Sequence, residues 1–282
     1  MKLGIFAKTF ERPTVEELFA AVRQQGLTCV QFNMACAGLP SLPATIDATL
    51  SARIRQVAAN AGVEIVAVSG TYNMIHPDPA VRQQGLRRLR TLAAACHDLG
   101  TDVITLCTGT RDPLDMWHWH PDNDSHQAWS DLLQAMEAAL TIAEAEQVTL
   151  AFEPERANVV QSASRGQALL HAMRSPRLKV VLDAANIISP GDIQVQRRVV
   201  EEAFDLLGEQ IIIAHAKDRA ADDSFAVAGQ GILDYDHYLR LLAARGFSGP
   251  LILHGLAEAE VGETVRFLQK GLWIANYTTD PA

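Results

Sequence analysis

Four side chains could do chemistry together: Glu153, Asp183, His215 and His254. Two carboxylates and two imidazoles are all ligands for a divalent cation, and each can also move a proton. Gaps of 30, 32 and 39 residues separate them, so no local motif joins them. What they share is position. Each closes a short apolar run: VTLAFE (148–153), KVVLD (179–183), IIIAH (211–215) and LILH (251–254). A lone histidine at a strand end is most simply a satisfied polar residue. Four potential ligands in four consecutive units point to one shared site.

The elements that would position them recur along the whole chain. Four further runs precede these: KLGIF (2–6), CVQFN (29–33), EIVAVSG (64–70) and DVITLC (102–107). All are nearly continuous rather than alternating, which suits strands buried on both faces of a parallel sheet. Helical patterns fit between them at 14–25, 46–61, 79–99, 126–146, 161–174, 192–207, 235–245 and 258–275. The 79–99 segment has Asp78 as N-cap, Pro79 in its first turn and Gly100 as its stop. Eight strand–helix pairs predict an α/β fold, a single-domain (β/α)8 TIM barrel over 1–275, with a tail at 276–282. The rival is a doubly wound open sheet. It usually carries a glycine-rich phosphate turn after its first strand, where this chain has AKTFERPT. In a barrel, sites form at the carboxyl ends of the strands, where the four residues would converge.

Composition narrows the function. The chain has 282 residues, 24 Lys+Arg against 33 Asp+Glu, a formal net charge of −9 and 48% hydrophobic residues. An acidic surface argues against a nucleic-acid partner. No run reaches the roughly eighteen apolar residues that a membrane span needs. Cys29, Cys36, Cys96 and Cys107 lack CxxC spacing, so buried thiols in a reducing, cytoplasmic setting are expected.

Several stretches resemble the xylose isomerase-like barrel family: LAFEPE (150–155), VVLDAAN (180–186), HAKD (215–218) and GQGILDYDHYLRLL (229–242). That family includes sugar isomerases, sugar epimerases and related AP endonucleases. The resemblance implies a Glu, an Asp, a His and a second Glu around one divalent metal, commonly manganese. The first three map onto Glu153, Asp183 and His215. It also implies a mechanism in which two glutamates pass a proton at the carbon beside a carbonyl, through an enediolate. Here His254 stands where the pattern has the second Glu, and Asn186 where epimerases often have a substrate-binding His. With His254 the ligand set carries one negative charge fewer, so zinc, cobalt and iron are admitted beside manganese, with magnesium also open. The expected activity is isomerisation or epimerisation of a small ketose, keto-polyol or sugar phosphate, with Glu153 and His254 catalytic. The alternative is a lyase or dehydratase using the same site. Two further rivals are a DNA-repair endonuclease, disfavoured by the acidic surface, and a metal-free sugar-binding barrel. A homo-oligomer is compatible with such barrels.

The loop after the fourth strand, TGTRDPLDMWHWHPDND (108–124), is long enough to be functional. Trp117 would stack on a sugar face, while Arg111 and His120 would bind hydroxyls or a phosphate. Trp119 and His118 accompany them. Among other loop residues, His76 and Tyr72 would reach the mouth, His76 equally capping the next helix. Lys217 would contact substrate oxygen, or pair with Asp218 or Glu155. Asn33 and Phe10 would line the pocket, and glycines 229 and 231 would permit a tight loop.

Overall fold

Eight parallel strands close into a barrel in the computed structural model, which describes residues 1–277. They are β1 Lys2–Phe6, β2 Cys29–Phe32, β3 Glu64–Ser69, β4 Val103–Cys107, β5 Thr149–Glu153, β6 Leu178–Asp183, β7 Ile211–Ala216 and, after a small antiparallel hairpin of β8 Asp218–Arg219 and β9 Phe225–Ala226, β10 Pro250–Leu253. Neighbours run in chain order around the wall, and β10 closes on β1. The outer ring is α1 Val15–Gln24, α2 Ala48–Asn60, α3 Pro79–Leu99, α4 His126–Ala145, α5 Ala163–Met173, α7 Ile193–Leu207, α8 Tyr235–Ala244 and α9 Val261–Tyr277, with a one-turn helix α6 Ala184–Ile187 inside the sixth unit. Thus α9 passes the expected barrel end at 275, and residues 278–282 of the expected tail lie outside the described residues.

Local chemistry sets the boundaries. Asp78 caps α3 by accepting from the Ala80 amide at 2.8 Å, and Gly100 ends it at φ +85°. Ser125 caps α4 through the Ala128 amide at 3.1 Å. The apolar stripes of these helices, among them Leu89, Leu92, Leu132 and Met136, are fully buried against the barrel. Truncating one such leucine to alanine costs about 2–5 kcal/mol.

The barrel interior explains the site. Side chains two apart on a strand share a face. Cys29, Ala67, Ala151, Val181, Ile213 and Ile252 form an apolar plug inside the barrel. Two residues further along the same strands come Gln31, Ser69, Glu153, Asp183, His215 and His254. The plug excludes water from below, so this polar layer is forced to the mouth, at the carboxyl ends.

Candidate functional site

Strand pairing sets the polar layer side by side. Asp183 pairs with His215 across β6 and β7, and His215 with Ile252 across β7 and β10. His254, two residues past Ile252, therefore stands over the same sector, and its ring stacks on that of His215 with centroids 5.3 Å apart. Asp183, His215 and His254 each offer one ligand atom, all within 4.8 Å of one another. Asp183 Oδ2, His215 Nδ1 and His254 Nδ1 are buried without a hydrogen-bond partner. Asp183 Oδ2 has the Lys217 charge at 3.2 Å and His215 Nδ1 has carboxylate oxygens at 3.4 and 3.6 Å, so these buried atoms have charged neighbours but no well-made hydrogen bond, which is costly unless something fills the space between them. A divalent cation fits this donor set.

The other nitrogen of His215 is already engaged. Nε2 lies 3.0 Å from Gln31 Oε1, an acceptor, so Nε2 donates and Nδ1 is left for a ligand. The Gln31 amide nitrogen in turn donates to Ser69 Oγ (3.3 Å) and Thr105 Oγ1 (3.1 Å). Glu153 sits beside the trio rather than within it, with Oε1 3.4 Å from His215 Nδ1. Asn186 Nδ2 donates to Glu153 Oε1 at 2.6 Å, and Asn186 Oδ1 accepts from Lys217 Nζ at 2.6 Å. Lys217 also pairs with Asp183 Oδ2 at 3.2 Å, not with Asp218 or Glu155.

Electrostatics separate the two imidazoles. Burial would lower the pKa of His215, but the Glu153 and Asp183 carboxylates outweigh it and raise it to about 9. His254 is lowered to about 4, first by burial and then by the charge on His215. Burial opposes ionisation of Asp183, yet the charge on Lys217, with His215, holds its pKa below the usual range. Burial and the neighbouring Glu153 push Glu155 up to about 7.

His215 and His254 line a cavity of about 980 Å³, with Asp183 fully buried beside them, and its walls also include Glu153, Asn186, Lys217, Trp117 and Trp119. Three other expected substrate contacts lie off this wall, because loop architecture claims them. His76 accepts from the Asp78 amide (3.0 Å) and donates through Nε2 to the Pro113 carbonyl (3.2 Å). His120 accepts from the Asp122 amide at 3.2 Å, capping the 3-10 turn Pro121–Asp124. Arg111 spans from the Ile75 carbonyl (3.0 Å) to Asp131 (2.6 Å). Tyr72 and Phe10 are buried outside the lining, and Phe6 lies on the wall instead, 5.2 Å from the His254 ring. Asn33 lines the mouth and caps the turn Met34–Ala37.

Gln31 has no assigned role in the sequence reading, and Glu155 and Asp218 enter it only as candidate partners of Lys217, which pairs elsewhere. Gln31 was legible as a polar residue inside the run CVQFN. Asp218 is fully buried and accepts four amides, from Arg219, Leu233, Gly229 and Gly231, at 2.8–3.0 Å. A Cβ at Gly231 would meet the Arg219 carbonyl at 2.3 Å, which explains the glycine of GQG. The four cysteines are free, and burial pushes Cys29 up to about 12 and Cys36 to about 11, which leaves no reactive thiolate there.

A family model described as a xylose isomerase-like TIM barrel matches residues 19–271. L-ribulose-5-phosphate 3-epimerase UlaE of Shigella flexneri serotype 5b is 22% identical over 205 residues, 72% of this chain and 67% of that protein. The match spans about two thirds of the length of such relatives. Among solved structures, an L-ribulose 3-epimerase has a TM-score of 0.77 at 18% identity, covering 98% of this chain and 96% of that one. D-psicose 3-epimerase of Clostridium cellulolyticum H10, solved with D-tagatose, has a TM-score of 0.71 at 17% identity, covering 100% of each chain. At these identities the structural likeness speaks for the fold.

Proposed function

This chain belongs to the xylose isomerase-like TIM barrel family, and from that premise we propose that it is a metal-dependent sugar isomerase or epimerase working by proton transfer through an enediolate. One observation carries the reading. One ligand atom each from Asp183, His215 and His254 lies within 4.8 Å of the others, beside the Glu153 carboxylate and under the cavity that His215 and His254 line. The relative named as a ribulose-phosphate epimerase supports it.

Asp183, His215 and His254 would hold the ion, with Glu153 completing the shell. A bound divalent ion supplies Lewis acidity that acidifies the carbon beside the carbonyl. Manganese suits the carboxylates, and the two imidazoles also admit iron, cobalt or zinc, with magnesium the weakest fit. Glu153 takes the carbon-bound proton. Asn186, donating to its Oε1, fixes that carboxylate and leaves Oε2 for the proton. His254, its pKa lowered to about 4, is a neutral imidazole at pH 7; it would serve as a ligand and relay a proton to the substrate, with the proton taken by Glu153 passing back to its ring so that both groups end the cycle as they began. Lys217 positions both Asp183 and Asn186. Among the described residues no helix is long and apolar enough to cross a membrane.

Turnover in deuterium oxide tests this. Deuterium should appear at the carbon beside the carbonyl, and chelation should abolish the reaction. Turnover without exchange, or undiminished after stripping with EDTA, would contradict it. His254 also favours a second reading, because an imidazole N–H can protonate a departing hydroxyl where a carboxylate cannot. A product lighter by one water would assign the lyase.

A further inference from the structure

Three features of the mouth bear on what the substrate carries beyond its reacting carbons. The first is its cations. Lys8, Arg156, Lys217 and Arg219 are the lysines and arginines on the wall of the cavity among the described residues. Lys217 is committed to Asp183 and Asn186. Arg156 and Arg219 both bind Asp223, at 2.8 and 3.0 Å. Lys8 alone has no carboxylate partner, and it is exposed on the rim. A phosphate dianion is held best by unspent guanidinium, by several backbone amides or by a lysine positioned for it, and the one unspent cation here is exposed on the rim.

The second is the loop where such barrels often hold a phosphate, after the last strands at the start of a short extra helix. The turn Glu258–Glu260 occupies that place here. Its first turn is acidic, and Glu260 Oε2 already accepts from the Ala257 amide at 2.8 Å. Asp222 and Asp223 lie in the preceding hairpin loop. Glu258 is paired with Arg12, and Asp223 with Arg156 and Arg219, so the arginines at this end of the mouth are already occupied.

The third is the rim. Trp117, Trp119 and Phe225 line the cavity yet are 55%, 45% and 51% exposed. Lys217 Nζ stands 3.8 Å from the Phe225 ring centroid and Arg219 Cζ 4.7 Å, which holds that ring in place. Exposed aromatic surface around a concave site marks a binding face. A cavity of about 980 Å³ is at the upper end for a drug-sized ligand, far more than one ketose fills.

We propose that the substrate is an unphosphorylated keto-sugar joined by a glycosidic bond to a second sugar ring, which stacks on the Trp117–Trp119–Phe225 rim. This rests on the isomerase or epimerase reading above. The reacting carbon loses its proton to Glu153 and regains one, so no bond to the second ring forms or breaks.

The test uses the metal-loaded protein and the four D-2-ketohexoses, each free, as its 6-phosphate and as its 6-O-glucoside, with deuterium incorporation as readout. The glucoside of the preferred ketose should exceed the free sugar in kcat/KM by about tenfold, the worth of one aromatic–ring contact, and the 6-phosphate should fall below the free sugar. In the Trp117→Ala/Trp119→Ala double variant the glucoside's advantage should disappear, chiefly through KM. A preference for the 6-phosphate, or equal use of free and glucosylated sugar, overturns the proposal while leaving the isomerase reading intact. No exchange with any form overturns the isomerase reading itself.

Discussion

The polar layer at the strand ends and the loop at 108–124 both stand at the mouth of the barrel, yet they are built by different rules. In the layer, each side chain is placed by strand pairing and by the two-residue alternation above the apolar plug. In the loop, it is placed by whichever backbone amide or carboxylate lies nearest. Asn73, Asn123 and Asn158 latch the loop backbone through Thr110, Arg111 and Gly109, at 2.6–3.0 Å. His76, His120 and Arg111 are then spent on the same scaffolding. Polar residues in the layer remain available for chemistry, whereas most of those in the loop are consumed by the loop.

Substitutions in the layer should therefore break function, and substitutions in the loop should mostly change stability. Glu153→Gln should cost about 10²–10⁴-fold in kcat, the usual worth of a general base, while the protein still holds metal. Asp183→Asn should lose both activity and bound metal, and elemental analysis of the purified variants separates the two cases. Gln31→Met removes the partner of His215 Nε2, together with the bonds to Ser69 and Thr105, and leaves the ligands themselves in place. Its metal affinity should fall about 10–100-fold, as for other residues that orient a ligand, in a titration against a competing chelator.

The same contrast has a pH signature. In the metal-free protein His215 is raised to about 9 by Glu153 and Asp183, from about 6.5 in the unfolded chain. A raised basic group stabilises the fold fully below its unfolded pKa, and that stabilisation is lost as pH climbs through the folded value. Melting of the stripped protein should therefore drop progressively between about pH 6.5 and 9. Metal affinity should rise over the same window, because the ion no longer displaces a proton. A melting temperature that rises there would contradict the pairing.

At the small end, His120→Ala should lower stability by about 0.5–2 kcal/mol, the range for a lost N-cap, a few degrees of melting, with kcat within about twofold. A large loss of kcat with unchanged melting would return His120 to the substrate.

What could be read from sequence follows the same division. Strand-end residues were legible because eight similar runs fix the topology, and the topology fixes where their last side chains meet. The strand limits moved by a residue or two, and His254 falls just beyond β10. The one-turn helix α6 was not foreseen. It arises because Asp183 also caps it, accepting from the Ala185 amide at 3.0 Å. In the loops the tryptophans were legible as lining the mouth, but the roles of the polar residues were not, because a histidine that binds substrate and one that caps a turn look alike in sequence. The choice depends on amides brought in from other loops, such as Asn73 from the third. Gln31 stands out in sequence as a polar residue in an apolar run, but its partner does not, because only the barrel's closure carries it to His215.

The most direct test of the account is to strip the protein with EDTA and titrate it with manganese, following heat release, beside Asp183→Asn. The account predicts one ion per chain for the wild type and a loss of binding in the variant. A wild type that binds no ion, or a variant that binds as tightly, would contradict it.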